Sequence, residues 1–238
     1  MSSYLHEIET KLKQTAVHDP DYKAFREKTS KLTVLGHRLP LLQKITKDGF
    51  SFSTKTPDEI LKIWDDIWQH SSIHEAMYQP LFYYRNHQAS IGKKEWGVMK
   101  HWIDRIENWE HSDTLSYLYS ILYEKFPVLV EPTFRIWNRS KNPWKQRASI
   151  VSLIYYASSK RKAPPVQIVL KLVEPLIKSR DKYVAKAVGW TLRESYNLYP
   201  TETLAFITTH VRDLAPDSFS YATEKLSKKE KLGLKRLR

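Results

Sequence analysis

The chain has no cysteine and only 6 glycines among its 238 residues. Without cysteine there are no disulfides, no cysteine-ligated zinc and no thiol nucleophile. The few glycines never fall into G-x-G-x-x-G or G-x-x-x-x-G-K-[ST], so both familiar backbone cradles for nucleotide phosphates are missing. No stretch approaches 18 consecutive apolar residues, which excludes a membrane-spanning helix. The opening MSSYLHEIETKLKQ lacks the apolar core of a secretory leader. Acid is also scarce: 26 Asp+Glu stand against 39 Lys+Arg, a formal charge of +13. These absences leave a basic chain, expected to be soluble and intracellular. A chain of this length can bury roughly 70–75% of its unfolded surface, so it needs no covalent staple.

What is abundant is positive charge, and it is distributed. Lys93, Lys94, Lys100, Arg105, Arg139, Lys141, Lys145, Arg147 and the run Lys160, Arg161, Lys162 contribute along the chain. Residues 227–238 (SKKEKLGLKRLR) form a short basic tail. A folded domain with this balance points to a polyanionic partner, because lysine and arginine gain affinity by displacing counterions from phosphates. A purely solvating role for the tail remains open. A membrane surface is the weaker competitor, since no long basic helix with a broad apolar face is present.

Hydrophobic periodicity is helical nearly throughout. In residues 58–69, Ile60, Leu61, Ile63 and Ile67 recur near 3.6 residues with Trp64 and Trp68 beside them. In residues 73–86, Pro80 is expected to kink or split the helix. Asn142-Pro143 reads as a helix start, with the asparagine as cap and the proline in the first turn, followed by a helix through WKQRASIVSLIYYA. Pro164-Pro165 separates that helix from VQIVLKLVEPLIKS, which Pro175 should break, and KYVAKAVGWTLRESYNL should end before Pro200. VLGHRLP, with Gly36 and Pro40, reads as a loop, and no segment shows strand alternation closed by a hairpin turn. The expectation is an all-α chain of about ten to thirteen helices in one domain over residues 1–238. Its helix pairs would suit a HEAT-like stack, a helical-repeat solenoid with a concave basic groove.

Three segments could carry chemistry. Trp109 and Asp113 are spaced i, i+4, which puts an indole and a carboxylate on one face of a continuous helix. The competing reading is that Ser112 or Asp113 caps a helix starting at Thr114, with Trp109 in the core. Lys186, Trp190 and Arg193 follow i, i+4, i+7, a tryptophan flanked by two cations; packing with snorkelling neighbours explains the same pattern. Arg147, near Lys145, lies in line with Ile150, Val151 and Ile154, at the end of an apolar stripe, where a cation needs a carboxylate or phosphate. His6-Glu7 and His74-Glu75 lack the second histidine of a helical zinc motif, so no metal site is expected.

At these segments the chain resembles the bacterial DNA alkylation repair glycosylases of the AlkD type. The resemblance rests on Trp109-Glu110-His111-Ser112-Asp113, on Trp144-Lys145-Gln146-Arg147-Ala148-Ser149-Ile150, and on the KAVGWTLRE string from Lys186 to Glu194. Weaker echoes are the Leu35-Gly36 to Pro40 loop and Trp68 with Glu75. The resemblance implies a HEAT-like fold gripping duplex DNA in its concave face. It implies hydrolysis of the N-glycosidic bond of cationic N3- or N7-alkylated purines, without extrusion of the base. Carried over, Asp113 is the catalytic carboxylate, and Trp109 and Trp190 lie against the deoxyribose. Arg147 sits near the DNA backbone, with Lys145, Lys186 and Arg193 as further DNA contacts. It also implies a monomer without cofactor or metal, working in the bacterial cytoplasm at the nucleoid. Nine positions before the loop glycine the family can carry an aromatic, whereas this chain has Glu27, with Phe25 close by. An acid there faces DNA phosphates unfavourably, so either the alignment slips or the N-terminal contacts differ. Two alternatives stand beside the enzyme: a non-catalytic relative that binds DNA structures, and a helical-repeat adaptor for an acidic protein.

Overall fold

A computed structural model of the chain describes residues 2–16, 19–156 and 161–238. Lys160 and Ala157, named above, lie outside the described residues. The chain divides into two compact units, 1–118 and 119–238. Helices of the first are α1 (Ser3–Gln14), α2 (Pro20–Glu27), α3 (Leu39–Asp48), α4 (Pro57–His70), α5 (His74–Asn86), α6 (Lys93–Met99) and the start of α7 (Trp109–Lys125). The second holds the rest of α7, then α8 (Pro127–Asn138), α9 (Pro143–Val151), α10 (Val166–Val173), α11 (Lys182–Leu198), α12 (Pro200–Thr209), α13 (Pro216–Ala222) and α14 (Lys228–Leu237). Among the described residues these fourteen helices exceed the expected number, and the only strand-like pairing is a lone bridge between Thr33 and Ile73. The fold is all-α.

Caps and prolines set most of the boundaries. Thr56 and Glu59 form a reciprocal capping box at α4, with Pro57 in the first turn. The Asn142 side chain accepts from the Trp144 N–H at 2.9 Å, and Pro143 opens α9 as its position in the sequence implies. That helix stops earlier than its apolar pattern, at Val151. Ser152 there turns its hydroxyl back onto the Ala148 carbonyl at 2.6 Å, and Leu153 N–H tightens to Ile150. Pro175 breaks the next segment into α10 and a 3₁₀ turn, Glu174–Leu176, and Pro200 opens α12. The basic tail is helical, capped by Ser227, with Leu234 buried.

Pro80 does not split its helix. α5 runs unbroken across it, although proline removes one hydrogen bond and clashes with the carbonyl four residues back, a cost of about 3 kcal/mol. The offset lies in burial: Met77, Tyr78, Leu81, Phe82 and Tyr84 are all within 2% of complete burial, and each apolar side chain contributes about 1.5–3 kcal/mol. In the first unit α3 and α4 pack on α5, and α1 on α4 and α5. Trp68 stacks on Trp102 at 5.0 Å, its indole N–H donating to the Trp102 carbonyl. Of the α4 stripe, Ile60, Leu61, Trp64, Ile67 and Trp68 are buried, and Ile63 is only half-buried. The 34–38 loop hangs on Glu75 of α5, whose carboxylate accepts the backbone N–H groups of Leu35, Gly36 and His37 at 2.8–3.3 Å. Gly36 has φ 96°, the left-handed region glycine adopts without strain.

In the second unit α11 packs against α9, α12 and α13. Gly189 is the closest approach: a β-carbon built there meets the Ser218 carbonyl at 2.6 Å and Tyr221 Cβ at 2.7 Å. Ser218 locks the contact by donating to the Ala185 carbonyl at 2.7 Å. The glycine inside KAVGWTLRE therefore lets α13 lie on α11. Gly189→Ala gains about 1 kcal/mol of helix propensity but overpacks rigid backbone, and we expect a net destabilisation of about 1–3 kcal/mol. The urea midpoint reads this directly; an unchanged or higher midpoint contradicts the packing role.

Candidate functional site

α7 begins at Trp109 because Asn108 caps it. The asparagine Oδ1 accepts from the His111 N–H at 3.0 Å, and the Asn108 carbonyl accepts from the Ser112 N–H. Neither Ser112 nor Asp113 is the cap, so that reading is overturned, and Thr114 lies inside the helix. Trp109 and Asp113 share one face of a continuous helix, and both are half-buried.

Behind this face lies a buried polar cluster that sequence reading missed. Arg26, from the last turn of α2, is 7% exposed and forms an ion pair with Glu110, which is 5% exposed. Its guanidinium lies among aromatic rings, 4.7 Å from Tyr22, 5.4 Å from Phe25 and 6.0 Å from Trp109. The last distance is the outer limit for a cation–π attraction. Arg26 also donates to the Tyr22 hydroxyl at 2.7 Å. His74 Nε2 stands 3.6 Å from the other Glu110 oxygen. The His74 and His111 rings are 4.4 Å apart, with Tyr78 against both. Burial raises the Tyr78 hydroxyl above its ordinary range; the Arg26 charge opposes the rise and that of Asp113 adds to it. Glu27, the departure noted in the sequence, points to solvent and pairs with Lys23 at 3.7 Å, while Phe25 is the exposed aromatic at this end of α2.

Both imidazoles are held neutral. His111 donates from Nε2 to the His74 carbonyl at 3.0 Å and accepts at Nδ1 from the Asn108 amide, also at 3.0 Å. The Asn108 amide cannot turn over, because Nδ2 also donates to Glu107 and Oδ1 is the α7 cap. Protonating His111 would set donor against donor. Burial pushes His111 well below the usual imidazole range and takes His74 down to about 4, with the Arg26 charge adding to the His74 fall.

The second unit carries the remaining predicted residues. Arg147 is 5% exposed, donates to the Tyr183 carbonyl at 2.7 Å, and lies 5.8 Å from the Trp190 ring. Trp190 is half-buried, with Tyr155 edge-on at 6.1 Å, so Arg147 and Trp190 are brought together. Lys145 is half-buried and Lys186 exposed. Arg193 is engaged within the protein, by Glu194 at 2.8 Å and Glu224 at 2.7 Å, so its charge is largely compensated.

Among the described residues, one helix of the first unit presents an indole and a carboxylate on a half-buried face, and in the second unit a tryptophan lies near an arginine. The family model for DNA alkylation repair enzymes matches residues 8–226, and the chain belongs to that family. No protein of curated function matches it. Among solved structures, a predicted DNA alkylation repair enzyme from Enterococcus faecalis aligns with TM-score 0.75 at 16% identity, covering 88% of this chain and 97% of that one. AlkD2 from Streptococcus mutans aligns with TM-score 0.59 at 14% identity, covering 98% and 96%. The protein smu.31 of Streptococcus mutans UA159 aligns with TM-score 0.53 at 17% identity, covering 91% and 96%. At these identities the likeness is one of fold.

Two outcomes follow from the buried cluster. Glu110→Gln strands the Arg26 charge, and thermal or urea denaturation should show a loss of about 3–5 kcal/mol; a loss below about 1 kcal/mol contradicts a buried, mutually dependent pair. The histidines bind protons less readily folded than unfolded, so their stability is fully present above about pH 6.5 and is lost as pH falls. As pH falls below 6.5 the His74 and His111 pair loses stability, both imidazoles acting in the same direction. Tm should therefore fall from pH 7.5 to 5; a flat profile contradicts neutral imidazoles.

Proposed function

We propose that the protein is a DNA glycosylase that hydrolyses the N-glycosidic bond of positively charged N3- or N7-alkylated purines in duplex DNA, with Asp113 as the catalytic carboxylate. The observation that carries the reading is the Trp109–Asp113 pair, an indole and a carboxylate side by side on one half-exposed helical face. Family membership supports alkylated DNA as the substrate. The HEAT-like groove, the monomer and the cytoplasmic, nucleoid-associated location belong to the same proposal.

The chemistry suits those side chains. An alkylated purine already carries positive charge, so it departs with the electron pair of the C1′–N bond and becomes neutral, without a strong acid. The deoxyribose left behind gains oxocarbenium character. A fixed carboxylate lowers the energy of that cation and orients the water whose oxygen bonds to C1′ as its proton leaves. An indole face favours the same cation by about 0.5–2 kcal/mol. Trp109 takes this role here, and Trp190 is proposed as the second ring. Arg26 adds a resident cation near Trp109, but Glu110 neutralises it, so the positive sugar meets no net repulsion from this quarter. Arg147, Lys145 and Lys186 are proposed to serve the DNA backbone, together with Arg193, which Glu194 and Glu224 hold in place. The chemistry calls on no metal or cofactor.

A second reading, duplex binding without base release, draws on Glu27 standing at the surface where the family can carry a ring. One assay separates the two. Release of 7-methylguanine or 3-methyladenine from methylated duplex DNA is expected from the wild type, and Asp113→Asn should lower the rate by about 10²–10³. Equal release by both removes Asp113 from the mechanism. Binding without release by the wild type favours the second reading.

A further inference from the structure

Among the described residues, one cavity of the first unit is lined by cations and amides with no carboxylate. It measures about 340 Å³ and lies between α3 and α5, walled by Gln43, Lys44, Lys47, Phe82, Arg85 and Asn86. Lys44 and Lys47 make no hydrogen bond or ion pair among the described residues, and the Arg85 guanidinium rests 5.3 Å from the Tyr117 ring. The helices that carry these residues are anchored from behind. Thr46, between the two lysines, donates to Gln79 of α5 at 2.8 Å in a buried hydrogen bond, while Leu42, Ile45 and Phe82 are buried.

The arrangement contrasts with the comparable cavity of the second unit. There Lys178, Arg180, Lys182 and Arg212 share the lining with Asp213 and Asp217. Lys178 is paired with Asp213 at 3.1 Å, and Arg212 donates to the Leu237 carbonyl. That cavity carries acids among its cations, and one of its lysines is paired, whereas the α3–α5 lining holds no acid. Lys47 and Arg85 stand in the last turns of their helices, where cations are ordinarily favoured. The two helix ends supply about one negative charge between them, at roughly half a charge each. Three cations then leave a net charge of about +2 in the concavity. Gln43 and Asn86 add amide donors, which suit oxyanions and complete a lining able to bind charge and hydrogen-bond it at once.

We propose that this cavity is a phosphate-ester site, and that its occupant is a backbone phosphate of a DNA strand. The occupant rests on the reading of duplex DNA as the partner. Lysines and an arginine at an open cavity mouth suit a strand running past, and the overall +13 favours a polyanion over an isolated anion. None of these residues belongs to the set that the family resemblance marked out.

The test compares wild type with the Lys44→Gln/Lys47→Gln/Arg85→Gln variant. Anisotropy with an undamaged 16-base-pair duplex is measured across a potassium chloride series, and inorganic phosphate is titrated into both proteins by amide NMR. All three residues are exposed, so the melting temperature should change by no more than a few degrees, and folding is checked that way. The wild-type plot of log K against log salt should be steeper than the variant's by about 1, at roughly one unit for each phosphate no longer neutralised. A slope that is the same in both proteins overturns the DNA-strand occupant. Phosphate shifts at residues 43–47 and 82–86 alongside equal slopes assign the cavity to a small phosphorylated molecule instead. Absence of both effects overturns the site. These measurements need no base release, so loss of glycosylase activity and loss of this site are told apart.

Discussion

Where α7 begins decides what the first unit can do. Asn108 starts the helix at Trp109 by accepting from the His111 N–H. Had the helix begun at Thr114, indole and carboxylate would lie on irregular backbone with no common face. The same amide also donates to His111 Nδ1 and to Glu107, so the cap, the histidine tautomer and the adjoining loop are fixed by one side chain. Glu107 in turn holds the chain after α2, accepting from Ser30 and the Lys31 N–H at 2.6 Å. The candidate site is thus organised from the helix terminus outward.

The charge behind that face follows a different logic. Arg26 and Glu110 are both nearly inaccessible, and a buried pair gains little over well-packed apolar residues. What the pair does is orient. It ties the end of α2 to the first turn of α7 and holds Tyr22, Phe25 and Trp109 around one guanidinium. Aromatic faces gathered near a carboxylate make a setting in which positive charge is tolerated.

Much of the helical plan was legible because it was written in local chemistry. Asn142-Pro143, Pro175 and Pro200 act within a turn of themselves, and each did what its spacing implied. Pro80 misled because its effect is settled by burial on every side of α5, which a linear pattern does not report. The short α9 misled for a similar reason: Ser152 ends a helix that the apolar period would continue. Trp109 and Asp113 could be picked out by spacing, but their cap could not be chosen between two candidates, and Asn108 was neither. Arg26 was invisible, since an arginine beside Phe25 and Glu27 looks like any surface cation until α2 is docked. Gly189 looked like part of a functional string and proves to be the place where α13 touches α11.

The 34–38 loop carries a lesson about inheritance. Glu75 grips three consecutive main-chain amides and stands 4.0 Å from the buried His37 imidazole, while Gly36 supplies the left-handed backbone angle. Side chains at 35 are consequently free to drift between relatives at little cost to the loop's path. Replacing the acid at 75 leaves three main-chain amides without an acceptor at once, so the turn has one point of failure in a neighbouring helix.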